Sequence, residues 1–551
     1  MTNLFPVIIS FLFLIICNTN VISQTNSYFT NYNVTHYNLS IGLDLATKSF
    51  HGNVEVTADF LQPTNEFVLD ASNATLTIDS VFISQSKLVF QHKSDLLTIQ
   101  LASILNSLDE SSHRPSSIKL KIFYHGISNF TGNYDGGGVY FASHERVATI
   151  SEPCFAHNWW PCKDVPSDKA TAAISITVPD GLTAVSNGLL KRIERHDGKA
   201  IFHWSTEYPM STYLLSIAVA KYNESSEEYI GLDGKTMKIY YYVFPEDSEK
   251  AKIDFQNIGK IMKYFKQIFG EYPFLNEKLG FAEIEGDMTM ENQTICSIQK
   301  TFFTGDRKYE LTYAHEIAHH WFGNMLTPQN WHNTWLNEGF ATYAEALYLE
   351  HRRGPEVYQQ YINSMMAMNN GTYAGSVIGK SDTAFWDSFS PAQSYKGAIV
   401  LHMLRKMLGD STFFSCLNNY VTSPNLRYRN VTTEDFIDIC EKISAQNLRW
   451  FFNQWVYASA DSIDRPVLEY EWSTSGATSQ KEITVSIEQK TAGKILYHLP
   501  LTISLTTMKS INNYYVVDSV AVQLFKFPVN EQPDTVEIDK ENRIFKIIQK
   551  K

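Results

Sequence analysis

The chain has 551 residues, enough for roughly three to four domains with cores of their own and no need of disulfide or metal staples. With 44% hydrophobic and 19% charged residues, its composition is that of an ordinary globular protein and excludes disordered and collagen-like classes. A net charge of −12 without any long basic run argues against a nucleic-acid groove, so nucleic acid is not an expected partner.

The first segment reads as a leader. Leu4 to Cys17 is almost wholly apolar, and Val21-Ile22-Ser23 ahead of Gln24 offers a cleavage site. No Lys or Arg precedes Lys48, so the amino terminus alone supplies the positive charge of such a leader. Fourteen residues, Pro6 and Ser10 among them, are too few to cross the hydrocarbon layer, and no later segment is apolar for long enough. Residues 1–23 are therefore expected to be a cleaved signal peptide, and the protein to be exported: periplasmic, at the cell surface or secreted. Of the cysteines beyond Cys17, only Cys154 and Cys162 are close in sequence, and an oxidising compartment permits a bridge between them. Cys296, Cys416 and Cys440 read as buried thiols. Asn-X-Ser/Thr sequons begin at Asn33, Asn38, Asn73, Asn129, Asn223, Asn292, Asn370 and Asn430, and matter if the host glycosylates exported chains.

From about Tyr28 to Tyr222, short alternating runs such as HYNLSIGLDL and AAISITVP predict a β-saddle or β-sandwich. Near Lys250 the period changes. Ile258, Ile261, Met262, Phe265, Ile268 and Phe269 fall on one helical face, and Gly270 closes that helix. Helical patterns continue to about Tyr457, and after Asp461 alternation returns to the end. The expected architecture is thus multidomain: an N-terminal all-β domain over 24–226, a mostly helical domain over 227–458 and a C-terminal β-sandwich over 459–551.

The chemistry belongs to the middle block. His315-Glu316-Ile317-Ala318-His319 is an HExxH on a helix, where residues four apart share a face, so both imidazoles reach one ion while Glu316 lies beside it. Short patterns recur by chance, and a third ligand raises this one above that. Glu338, nineteen residues after His319 in the run NTWLNEGFATY, begins a further helix able to pack back on the first. Two His and one Glu leave a zinc position open, as in catalytic sites.

HEIAHHWFGN followed by WLNEGFATY resembles the zinc aminopeptidases of the aminopeptidase N and leukotriene A4 hydrolase family, over roughly residues 30–460. That resemblance implies a β-saddle domain, a thermolysin-like catalytic domain and one zinc per chain, held by His315, His319 and Glu338. The family's Gly-X-Met-Glu-Asn motif stands here as Met288-Thr289-Met290-Glu291-Asn292, with Met288 in the place of the glycine and Gly286 nearby. By resemblance Met290, Glu291 and Asn292 contact substrate, and Glu291 with Glu152 holds its free α-amine. A cation in a partly dry cleft needs such an anionic partner. Glu345 matches a family glutamate near the metal and reads either as a partner of the ligands or as a surface charge. The family's catalytic tyrosine stands two residues before Lys-Gly; here Ser394 holds that position and Tyr395 is one residue late. A helical shift of one residue turns a side chain by about 100°. The expectation is that the backbone near Pro391 absorbs the shift, bringing Tyr395 to the site while Ser394 caps the helix.

The function implied is a zinc metallo-aminopeptidase removing N-terminal residues from peptides with a free amine. Zinc would polarise the scissile carbonyl, Glu316 would act as general base, and a tyrosine hydroxyl would stabilise the oxyanion. The competing reading is a catalytically weak or inactive relative that binds peptides, suggested by the departures at Met288 and Ser394.

Overall fold

The computed structural model describes residues 27–551 except 106–107, 110–113, 133–135, 144, 369–375, 380–389, 459–464, 478–479 and 491–495. The leader and the sequon at Asn370 lie outside the described residues. No described helix is long and apolar enough to cross a membrane.

The alternating runs at the N-terminus form an eight-stranded sheet. Its centre is Tyr32–Asp44, paired antiparallel with Ser49–Phe60 and parallel with Ala170–Pro179. Strict alternation places Ala170, Ala172, Ile174, Ile176 and Val178 in the core while their neighbours face outward. A smaller sheet joins Gly138–Phe141, Val147–Ile150, Ile217–Ala220 and Thr183–Ser186.

The next sheet begins at Asn223–Ile230 and runs through Thr236–Val243 and Lys278–Ile284 to Cys296–Gln299. Its last three strands are parallel, and all seven residues of Lys278–Ile284 are buried, as a central parallel strand requires. The crossover between the first two of these carries the helix Ile258–Phe269, closed by Gly270 at φ 97°. Ile258, Ile261, Met262, Phe265 and Phe269 are buried as their spacing requires; Tyr264 is buried beside them, and Ile268 is only half-buried.

The chain divides into two compact units, with the line falling between Asn337 and Glu338, inside the single helix Trp335–Arg353. In the second unit every residue from Gly397 to Arg405 is buried, the mark of a helix surrounded by others. His402 on this helix is neutral, its pKa pushed down to about 3 by burial, and pairs with the Tyr358 hydroxyl at 2.7 Å. The C-terminal β-sandwich sets one sheet (Val522–Val529, Gln480–Gln489, Val467–Ala477, Ile547–Lys550) beside a second (Ile511–Asp518, Leu499–Thr506, Thr535–Ile538). Ile483, Val485 and Ile487 supply one inner face and Leu499, Leu501, Ile503 and Leu505 the other. The three blocks of the sequence are thus an N-terminal β-rich region, a central helical region and a C-terminal β region. All five described cysteines are free thiols, so Cys154 and Cys162 are not bridged: burial, with Asp164 and Asp70 nearby, keeps both protonated.

Candidate metal centre

The helix Glu310–Ala318 buries Tyr313, Ala314, Ile317 and Ala318 and turns His315 to a half-buried side. His319 continues the same turn with helical dihedrals, so the two imidazoles sit edge to face, 4.5 Å apart at their centroids. Glu338 arrives on the first turn of Trp335–Arg353, and one ligand atom each from His315, His319 and Glu338 lies within 4.8 Å of the others. Glu316 and Glu291 make a second such group with His319.

The surroundings of His319 select its tautomer. Its Nδ1 faces two acceptors, the Phe322 carbonyl at 3.1 Å and Asn337 Oδ1. The proton therefore stands on Nδ1, and the Nε2 lone pair is left for a metal. Two nitrogen donors and one carboxylate, with one imidazole held in the ligating tautomer, fit a catalytic zinc site.

The next residue is used differently. His320 is fully buried and its pKa is pushed down to about 3, so it is neutral. Its Nδ1–H donates to the Glu316 carbonyl and its Nε2 accepts from the Thr294 amide. One imidazole thus ties the Met288–Thr294 segment to the helix that carries Glu316. Asn324 adds a second tie, donating from Nδ2 to the Glu291 carbonyl at 2.8 Å.

The substrate-binding residues expected from the sequence are placed unequally. Glu291 is 3% exposed and accepts from Asn337 Nδ2 at 3.0 Å. Glu152, 8% exposed, follows the strand Val147–Ile150. Met290 and Asn292, expected to contact substrate, are both buried. Both backbone polar groups of Met290 pair with Ser297, and Asn292 is spent on Ser297 Oγ at 3.0 Å. They shape the turn that presents Glu291, and burial also removes the Asn292 sequon from the surface. Two residues before Met288, which is buried, Gly286 takes φ +111°, and Asp287 N bonds the Gly132 carbonyl at 3.1 Å.

The second unit holds the remaining candidates. Ala392–Lys396 is a π-helical turn feeding straight into Gly397–Leu408. A turn with i→i+5 bonds takes in one residue more than an α-helical turn. Burial raises the Tyr395 phenol well above its usual pKa, and the nearby Glu345 and Glu338 raise it further, so it is a hydrogen-bond donor at neutral pH. Ser394 does not cap the helix as expected: its hydroxyl donates to Glu338 Oε2 at 3.2 Å. Its side chain is short enough to reach the carboxylate directly in front of it. Glu345 accepts the Tyr361 hydroxyl at 2.7 Å, which makes it part of this polar group rather than a bare surface charge. Gly339 permits the packing, since a Cβ there would lie 3.0 Å from the Gln393 carbonyl and the Gly397 backbone.

Two family models match along the chain: the peptidase M1 N-terminal domain over residues 33–214 and the peptidase family M1 domain over 253–455. The chain belongs to peptidase family M1. Among sequence relatives, aminopeptidase M1-A of Oryza sativa subsp. japonica is 29% identical over 76% of this chain and 49% of its own length. Mitochondrial aminopeptidase 2 of Saccharomyces cerevisiae is 27% identical over 76% of this chain and 45% of its own. The chain therefore spans about half the length of these relatives. Aminopeptidase A of Legionella pneumophila, solved in complex with aspartic acid, superposes with a TM-score of 0.79 at 18% identity, over 94% of this chain and 60% of that one. The M1 zinc metallopeptidase of Deinococcus radiodurans gives 0.66 at 22%, covering 78% and 94%. These structural likenesses establish the fold.

Sequence reasoning missed His320, Asn324, Asn337 and the two glycines Gly323 and Gly339. All stand inside HEIAHHWFGN and WLNEGFATY, where they read as context around the ligands rather than as the frame that holds them.

Proposed function

We propose that this family M1 chain is an exported zinc aminopeptidase acting on peptides with a free N-terminus. The observation that carries the reading is the convergence of His315, His319 and Glu338 with the buried carboxylates Glu316 and Glu291 around them. The aminopeptidase names of its sequence relatives support the same reading.

Zinc bound to His315, His319 and Glu338 would supply Lewis-acid polarisation of the scissile carbonyl and an acidified water. Glu316, not itself one of the three ligands, takes the proton of the attacking water on its carboxylate and delivers it to the leaving amine. Glu291, with Glu152, holds the substrate ammonium, so a chain end is favoured over an internal bond. The Tyr395 hydroxyl, kept protonated, donates to the oxyanion. Export rests on the apolar leader of residues 4–17 and on exposed sequons at Asn33, Asn38, Asn73, Asn129 and Asn223.

The test is a panel of aminoacyl fluorogenic substrates, with and without a chelator. Activity is expected to vanish with the chelator, return with zinc, and be abolished when the substrate amine is acetylated. Full turnover in metal-stripped protein, or equal cleavage of blocked peptides, would overturn the reading.

A further inference from the structure

We infer that Asn337 is a positioning residue whose single carboxamide serves both the metal ligand His319 and the amine-binding carboxylate Glu291. The inference rests on the aminopeptidase reading and goes beyond it by coupling the metal site to recognition of the chain end. Asn337 is wholly buried, so each of its polar atoms needs a partner. Its Oδ1 accepts from His319 Nδ1–H, and its Nδ2 donates to Glu291 Oε1 at 3.0 Å. The chemistry of the partners fixes the orientation of the amide. A carboxylate only accepts, so the NH₂ must face Glu291, and the oxygen must then face the imidazole N–H. Glu291 Oε1 itself stands 3.8 Å from His319 Nδ1, so the amide spans two groups that are already neighbours.

The backbone beneath is shaped around this side chain. Gly323 has φ +121°, and a Cβ there would lie 2.0 Å from Asn337 Oδ1 and 2.8 Å from its Cγ. The glycine after Trp321-Phe322 is thus the floor on which the amide lies. Asn324, one residue on, holds the Glu291 backbone, so Glu291 is fixed at its main chain by one asparagine and at its carboxylate by another.

Separating the two ends of the amide tests the inference. Asn337→Ala loses both, and zinc affinity, read by chelator competition, is expected to fall about 10–100-fold, with KM for a free-amine aminoacyl substrate raised. Asn337→Asp keeps an oxygen for the His319 N–H and removes the donor to Glu291. It is expected to recover most of the zinc affinity while KM stays raised by about tenfold or more and kcat falls less. Wild-type zinc affinity in folded Asn337→Ala, or wild-type KM in Asn337→Asp, overturns the inference. If Asn337→Ala does not fold, Asn337→Asp decides alone: zinc bound as in the wild type with a raised KM supports the inference, and any other pairing overturns it. Wild-type protein that binds zinc but cleaves no free-amine substrate overturns the functional reading and the Glu291 half of the inference together. A loss of zinc affinity in Asn337→Ala then still supports the His319 half.

Discussion

The helix Glu310–Ala318 and the turn Ala392–Lys396 both carry candidate catalytic groups, but by different means. The first is a regular α-helix in which spacing alone puts His315 and His319 on one side, with Glu316 beside them. Around it, Nδ1 of His319, both ring nitrogens of His320 and Nδ2 of Asn337 have named partners. The second departs from α geometry, and its groups answer mainly to carboxylates, Ser394 to Glu338 and Tyr395 to Glu338 and Glu345. Ligands need fixed angles, which a regular helix supplies; a single hydroxyl needs only to reach, which a widened turn allows.

This contrast is open to measurement, and the largest effects belong on the helix. Glu316→Gln is expected to retain zinc and lose turnover by about a thousandfold or more, since a positioned base contributes on that scale. His319→Ala is expected to lose the zinc itself, measured as metal per chain after gel filtration. On the turn, Tyr395→Phe is expected to cost about a hundredfold in kcat with zinc content unchanged, and Ser394→Ala much less. Near-full activity in Tyr395→Phe would assign the oxyanion to another donor.

The same contrast explains what was legible in advance. The β blocks and the helix Ile258–Phe269 follow from period, because burial of one face dictates alternation or a 3.6-residue repeat. The metal group follows from the spacing of His315, His319 and Glu338. What local pattern could not supply was the destination of buried polar groups. The pairing of Met290 and Asn292 with Ser297 is one such destination, and nothing in the motif they stand in announces it. Ser394 looked like a cap and instead meets Glu338, because only the tertiary structure brings residues 56 apart in sequence together.

Two glycines sharpen the comparison at the next scale down. At Gly323 an added Cβ would collide with Asn337 at 2.0 Å under a φ of +121°, so Gly323→Ala is expected to cost a few kcal/mol of stability, on the order of 1–3 for the backbone conformation alone. At Gly339 the nearest atoms are backbone at 3.0 Å, and φ is not left-handed. Gly339→Ala is expected to cost less, roughly 1–2 kcal/mol, and to be felt as a small drop in kcat as the π-turn shifts. Denaturant melts of the two variants give the order; Gly339→Ala as the more damaging would mean the turn is the more rigid half.

A further measurement concerns Lys169, which supports the helix side from outside the ligand set. Its Nζ donates to the carbonyls of Asn324 at 2.8 Å and Met325 at 3.1 Å, and burial pushes its pKa down to about 7. The sign follows from proton counting. Between about pH 7 and the ordinary lysine range near 10.4, the unfolded chain holds a proton that the folded chain has released, so Lys169 makes stability rise with pH there. Below about 7 both states are charged, and the fold carries the cost of a half-buried, partly desolvated ammonium. Lys169→Met removes that cost and also removes two hydrogen bonds, whose loss is much the same at all pH values. The stability of Lys169→Met relative to wild type is therefore expected to be most favourable at pH 6 and to decline steadily towards pH 9.5 in urea melts. A difference that does not change across that range would mean that Lys169 keeps its proton, and that the Asn324 loop is held by a charge rather than by a neutral amine.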